Sequence, residues 1–319
     1  MTKQEIIKQL NICVEKDVNQ GQICTSNIIN CIPKEYLKDK EFIIKVISYS
    51  TMVLHHIDDT FKSDKEFISE IVNDFSYSLK YASDELRNDR EFMKELVIQD
   101  NWNFNYIGKQ LKNDKEFVLD ILRVNSMLAS DISKKLLKNK SFLIDAVTID
   151  LHILYHANKK ILSDKEFIYQ AISINARAYD YASKKLRNDK KFFFKVLKKV
   201  SWAIRYAGKR LKDNKQVLLK TIENDIHAFS HASKRLRGDK DVAFNAIRRY
   251  EYNLKHASDE LKNDKDFILT IIEDKLKQVK DNDSCKALKS WLLVFISDEL
   301  KRDIVFIHDV TELLGLTGE

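Results

Sequence analysis

Apolar residues recur along this chain in a fixed register. Counting from Asp64, residues Phe67, Ile68, Ile71 and Val72 stand at offsets three, four, seven and eight, which is one face of an α-helix. Counting from Asp114, Phe117, Val118, Ile121 and Leu122 stand at the same offsets. A polar position follows at offset eleven, usually Asp or Asn, as in Asp100, Asn125 and Asp150. A second apolar set then runs at offsets fifteen, eighteen and twenty-two, as in Leu79, Ala82 and Leu86. The pattern predicts two helices. The anchor Asp or Asn caps the first, and a glutamate two residues later suits the positive end of its dipole. The small residue at offset eighteen, such as Ala82, Ala182 or Ala207, predicts a close approach between helices.

The anchor itself repeats, at Asp39, Asp64, Asp89, Asp114, Asn139, Asp164, Asp189, Asn214, Asp239 and Asp264. Every step is 25 residues. A lone hairpin of this length has helices of about three turns, which are marginal without packing partners. Stacked neighbours must therefore supply the core. The expected fold is all-α: an elongated right-handed-type α-solenoid of about ten 25-residue helical hairpins over 39–276, with irregular caps at 1–38 and 277–319. The N-terminal cap reads as one helix, a loop around Gly21 and a poor second helix capped at Ser26 and interrupted by Pro33. At the other end, residues 291–306 repeat the second-helix pattern up to an anchor at Asp303, but 39 residues after Asp264. The extra segment, 277–290, predicts a lengthened helix and an added loop.

Composition agrees with an all-helical chain. There is a single proline and only six glycines, with 44% hydrophobic and 32% charged residues. That combination supports a packed core under a solvated exterior rather than disorder. The net charge of +7 arises from 55 Lys and Arg against 48 Asp and Glu, a modest excess for a long chain. Cys13, Cys24, Cys31 and Cys285 show no CxxC spacing, which points to reduced thiols and a cytoplasmic protein. An N-terminal helix of mixed charge and the lack of an 18-residue apolar run predict neither a signal peptide nor a membrane span.

The strings YASDELRNDREF (81–92), YASKKLRNDKKF (181–192) and HASDELKNDKDF (256–267) resemble the four-one-one-six domain-of-unknown-function repeat family. The resemblance covers about residues 34–274. It implies a helical repeat and supplies no catalytic residues, so function has to be argued from surfaces.

The second helix offers such a surface. Offsets thirteen, seventeen and twenty-one read as its side opposite the core. Offset thirteen holds Trp102, Trp202, His227 and Tyr252, and offset seventeen holds Tyr106, Tyr181, Tyr206 and His231. Offset twenty-one holds Lys185, Arg210 and Arg235 in the central repeats, each preceded by lysine, whereas the flanking repeats carry Asp84–Glu85 and Asp259–Glu260. Trp291 joins offset thirteen by its spacing to Asp303. One reading is an extended protein or peptide interface at Trp102, Tyr106, Tyr181, Lys185, Trp202, Tyr206, Arg210, His231 and Arg235. A second is nucleic-acid binding along Lys134–Lys135 to Lys234–Arg235. A plainer one has the aromatics filling grooves between repeats while the lysines solvate the rim.

Asp150, His152 and His156, and likewise Asp225, His227 and His231, have the spacing of metal ligands on a helix. Both aspartates, however, sit where the second helix needs an N-cap, so no metal or other cofactor is expected. No serine–histidine–acid set, glycine-rich phosphate loop or zinc-spaced cysteine cluster is present, and the one stretch left for an enzyme, Asp281–Cys285, has no recognisable chemistry. The chain is expected to be non-catalytic.

Overall fold

The computed structural model describes residues 1–15, 18–277 and 282–316, and every regular element among them is helical. Met1–Ala157 and Asn158–Glu319 form two compact units. The same 25-residue step builds both.

Each first helix starts one residue after its anchor, as in Lys65–Asp74, Arg90–Gln99, Lys115–Val124 and Lys140–Ile149 of the first unit and Lys165–Ile174, Lys190–Leu197, Lys215–Ile222 and Lys240–Arg249 of the second. The anchor's Oδ1 accepts from the backbone N–H three residues on: Phe92 to Asp89 at 3.0 Å, Phe142 to Asn139 at 3.1 Å, Phe192 to Asp189 at 2.9 Å. One of the unpaired donors at the helix start is thereby satisfied. The face at offsets three, four, seven and eight is buried throughout, with Phe67, Phe117, Phe142 and Phe193 fully enclosed.

The second half of each step corrects the expectation of one continuous helix. In most steps it is a short 3-10 helix, such as Ser76–Tyr81 or Ala176–Tyr181, followed by an extended residue and then either a four-residue α turn, such as Asp84–Arg87 or Lys184–Arg187, or a second 3-10 turn, such as Leu111–Asn113 or Leu136–Lys138. Ala82 and Ala182 are the extended residues, with ψ of 152° and 148°. Their smallness therefore serves a buried corner rather than a helix crossing. The next residue, Ser83 or Ser183, caps the short α turn through Oγ. Two N-caps eight residues apart leave too little chain for an α-helix to propagate.

At most corners consecutive steps are joined by a backbone bond. The N–H of Ser83 donates to the Lys62 carbonyl at 2.8 Å, Gly208 to Arg187 at 2.7 Å, and Ser258 to Arg237 at 3.0 Å. Each short turn would otherwise leave these terminal carbonyls without a partner. At two joints serine is replaced by glycine. A Cβ on Gly108 would lie 2.2 Å from the Asn88 side chain, and one on Gly208 would lie 2.3 Å from Asn188. Asn188 Oδ1 instead accepts from the N–H of Arg210 at 3.0 Å. Glycine here makes room for a side-chain bridge.

A row of charges adds to the joint. Lys65 pairs with Asp89 at 2.6 Å, Arg90 with Asp114 at 3.3 Å, Lys165 with Asp189 at 2.6 Å and Lys215 with Asp239 at 2.9 Å. The residue after one anchor thus reaches the next anchor. Where asparagine replaces that next anchor, Lys115 turns to Asp145 and Lys190 to Gln216.

Both ends differ from expectation. Lys3–Val14 forms the first helix, closed by a Thr2–Glu5 capping box. Gly21 and Ser26, however, both lie inside one helix, Val18–Asn30, so the expected loop and cap at those residues are absent. A Cys13–Cys24 disulfide ties these two helices, with Cα atoms 5.7 Å apart. The expectation of four reduced thiols fails at this pair, because a helical hairpin brings together cysteines that lie 11 apart in sequence. The cytoplasmic placement loses that support. Cys31 and Cys285 are free. At the C-terminal end the helix Lys265–Leu276 is longer than its counterparts, and 282–290 begin a 14-residue helix, Asn282–Phe295. The added loop would fall on 278–281, outside the described residues. Ser297 still donates to the Lys262 carbonyl at 3.1 Å, so this joint is kept despite the insertion.

Candidate partner-binding face

The 3-10 geometry redraws the expected face. With three residues per turn, offsets thirteen and sixteen share a line, and offset seventeen rotates toward the core. Burial follows this rule. Every residue from Met52 to Tyr252 at offset thirteen is exposed, with Met127 at 86%, Trp102 at 61%, Tyr252 at 44% and Trp202 at 39% exposure. Tyr106, Tyr181, Tyr206 and His231 at offset seventeen are half-buried, whereas His56 and Asp131 at the same offset are exposed. Lys185, Arg210 and Arg235 are exposed, but they stand on the separate α turn beyond the corner. Offset fourteen, missed from sequence because it mixes Ser78, Asn103 and Asn253 with apolar residues, is buried. Asn253 Nδ2 there donates to the carbonyls of Ala246 and Ile226 at 2.9 and 2.8 Å.

In the first unit the row runs Met52, Tyr77, Trp102, Met127 and His152, all exposed. Tyr77 Oη lies 2.6 Å from Thr51 Oγ1, and the Lys80 ammonium sits 4.7 Å from the Tyr81 ring centroid.

The second unit gathers more of the predicted residues. Trp202 and Tyr206 meet edge to face with centroids 5.6 Å apart, and the Arg205 guanidinium lies 5.7 Å from the Tyr206 ring. With Arg177, Asp225, His227 and His231 they line a groove of about 730 Å³. His231 also borders a second groove of about 600 Å³, lined by Lys209, Arg210, Lys212 and Lys234 together with Asp213. The aromatic and basic positions of Trp202, Tyr206, His231 and Arg210 are therefore contiguous. Desolvation and then the nearby Lys212 hold His231 below the ordinary histidine value, and desolvation does the same for His256.

The cations at offsets twenty and twenty-one behave unlike those beside the anchors. Lys159, Lys160, Lys184, Lys185, Lys209, Arg210, Lys234 and Arg235 are all exposed. Among them only Arg235 holds an ion pair, with Asp213 at 3.1 Å.

Trp291 does not continue the exposed row. It lies half-buried in Asn282–Phe295, 6.2 Å from Phe295, which in turn lies 5.7 Å from Tyr252. The two histidine motifs are cap sites: Asp150 Oδ1 accepts from the His152 N–H at 2.8 Å, and Asp225 Oδ1 from the His227 N–H at 2.9 Å. Among the described residues no group of three or more His, Cys, Asp or Glu is placed to hold a metal. Asp281, the start of the stretch considered for an enzyme, lies outside the described residues. Among the described residues no helix is long and apolar enough to cross a membrane.

A family model, a domain of unknown function (DUF4116), matches residues 39–87, 64–112, 89–138, 139–187, 189–237 and 239–277. The chain belongs to this family. Each of the first five DUF4116 matches spans about two steps, and the first three begin at successive anchors, Asp39, Asp64 and Asp89. The family unit thus contains the joint between steps as well as the steps themselves. No curated protein and no solved structure matches the chain.

Proposed function

We propose that this DUF4116 chain is a non-catalytic scaffold that binds an extended protein or peptide partner, its steps stacking as a right-handed-type α-solenoid of about ten hairpins. The observation that carries the reading is the exposed row at offset thirteen. Large apolar and aromatic side chains stand in solvent on successive 3-10 helices, where a core position would be closed. Tryptophan and tyrosine are the residues most often found as interface anchors. Repetition at fixed spacing suits a partner that runs along the row. The anchors assigned are Trp102, Tyr106, Tyr181, Trp202, Tyr206 and His231, with Lys185, Arg210 and Arg235 beside them. No cofactor belongs to this reading.

Selection of a random peptide library displayed on phage against the full chain tests it. Enriched peptides are expected to lose binding to chains carrying Trp102→Ser or the pair Trp202→Ser and Tyr206→Ser, at unchanged melting temperature. Enrichment of nothing, or of peptides indifferent to these substitutions, contradicts the reading.

The unpaired cations favour one second reading, single-stranded nucleic acid held by stacking and phosphate contacts. Its mark is binding that falls steeply as salt rises.

A further inference from the structure

The second unit holds two populations of lysine on the same scaffold. Those next to the anchors, such as Lys165 and Lys215, are consumed by the joints between steps. Those at offsets twenty and twenty-one have no such employment, and their placement is locally unfavourable. They occupy the first turn of the short α turns Lys184–Arg187, Lys209–Lys212 and Lys234–Arg237. Partial positive charge at the start of a helical turn favours acids. The same unit puts acids in that very position at Asp259–Glu260 and Asp298–Glu299. Three consecutive steps break the preference, from Lys184–Lys185 to Lys234–Arg235, and the next restores it. A local rule broken in consecutive repeats without an internal partner marks a surface shaped by something outside the chain.

The backbone joints hold the row in register, since Gly208 donates to Arg187 and Ser233 to Lys212, which fixes each cation pair one step from the last. Packed neighbouring elements lie about 8–10 Å apart. A polyproline II strand has three residues per turn and a rise of about 3.1 Å per residue, so it returns to the same side about every 9 Å. The groove bordered by Trp202 and Tyr206 adjoins this row through His231 and supplies an aromatic wall of the kind that receives such a strand.

We infer that the cation row of the second unit selects an extended acidic peptide with a carboxylate at about every third residue. The inference rests on the peptide-binding reading above and adds the partner's charge and spacing. Charge complementarity carries it: seven exposed cations without ion pairs, bounded by Asp259 and Glu260.

The test is fluorescence anisotropy of the full chain with labelled peptides repeating Glu-Pro-Ala or Gln-Pro-Ala, and with oligothymidine of equal length. The Glu peptide is expected to bind at least roughly tenfold tighter than the Gln peptide and to weaken as salt rises. Replacing Lys184, Lys185, Lys209 and Arg210 together by glutamate is expected to lower its affinity by at least about a hundredfold, while replacing the three lysines by arginine preserves it. Melting temperatures measured alongside confirm that each variant folds. Equal affinity for the Glu and Gln peptides overturns the charge inference and leaves peptide binding standing. Tighter binding of oligothymidine overturns it in favour of nucleic acid. Binding to neither peptide, together with an empty library selection, removes the peptide reading itself.

Discussion

Lys165 and Lys185 stand 20 residues apart in the second unit and have opposite fates. Lys165 reaches Asp189 at 2.6 Å and helps join two steps. Lys185 is exposed, unpaired, and set in the first turn of a short helix where a carboxylate would be favoured. The side chain is the same, and the difference lies in what the backbone brings near it. Lysine content alone therefore says nothing about function in such a repeat. The informative quantity is which row of lysines the architecture leaves without a partner.

The largest expected effect on this contrast comes from inverting the free row. Charge reversal at Lys184, Lys185, Lys209 and Arg210 is expected to cost at least about 2.7 kcal/mol of acidic-peptide binding, the equivalent of a hundredfold. It should not destabilise the fold, and a gain of up to about 1 kcal/mol is expected, since acids are favoured at the start of these turns. Titration and thermal unfolding measure the two.

The joint should respond the other way. Gly208→Ala puts a Cβ where the Asn188 side chain now sits, and costs the Asn188 bridge to the Arg210 N–H. A loss of about 1–3 kcal/mol in denaturant unfolding is expected, because the Asn188 side chain must be displaced by the added Cβ and its hydrogen bond is lost. Gly208→Ser should be milder, because Ser133 and Ser297 already occupy the corresponding position beside Asn113 and Asn263.

Smaller again is the effect at the anchor. Asp189 both caps a helix and pairs with Lys165. Asp189→Ala removes both and is expected to cost about 1–2 kcal/mol. Asp189→Asn keeps the cap, as Asn139 and Asn214 do, and should cost no more than about 1 kcal/mol for an exposed pair. Neither should change acidic-peptide affinity.

The least conspicuous effect is on pH. The hydrogen bond from Lys165, followed by that from the Phe192 N–H, holds the Asp189 carboxyl below its ordinary value of 3.8. Native Asp189 thus binds its proton less readily than the unfolded chain does. Its contribution is complete above the ordinary carboxylate value and is lost as pH falls through the lower native one. Stability measured below about pH 4 should decline less steeply in Asp189→Asn than in the parent.

The period, the anchor caps and the buried offsets were legible in the chain, because a capping Asp and a 3.6-residue stripe over ten residues leave a clear trace. The second half was not. Six residues between the cap at Asp100 and the corner at Ile107 are too few to separate an α-helical from a 3-10 period. As a result Tyr106 and Tyr206 turn partly inward, although Trp102 and Trp202 stand out as expected. A signal for the break was present: serine followed by acids in YASDELR is an N-cap signature at Ser83. The ion pairs at the joints were hidden because a lysine after an aspartate reads as solvated surface. The Cys13–Cys24 pair was hidden because only a helical hairpin makes those two positions neighbours.

Amine-reactive labelling of the full chain, read residue by residue by mass spectrometry with and without the Glu-Pro-Ala peptide, tests the contrast most directly. Lys159, Lys160, Lys184, Lys185, Lys209 and Lys234 are expected to label faster than Lys165 and Lys215, and the peptide should protect the first group alone. Equal labelling of both groups, or protection falling on Lys165 and Lys215, would contradict the account.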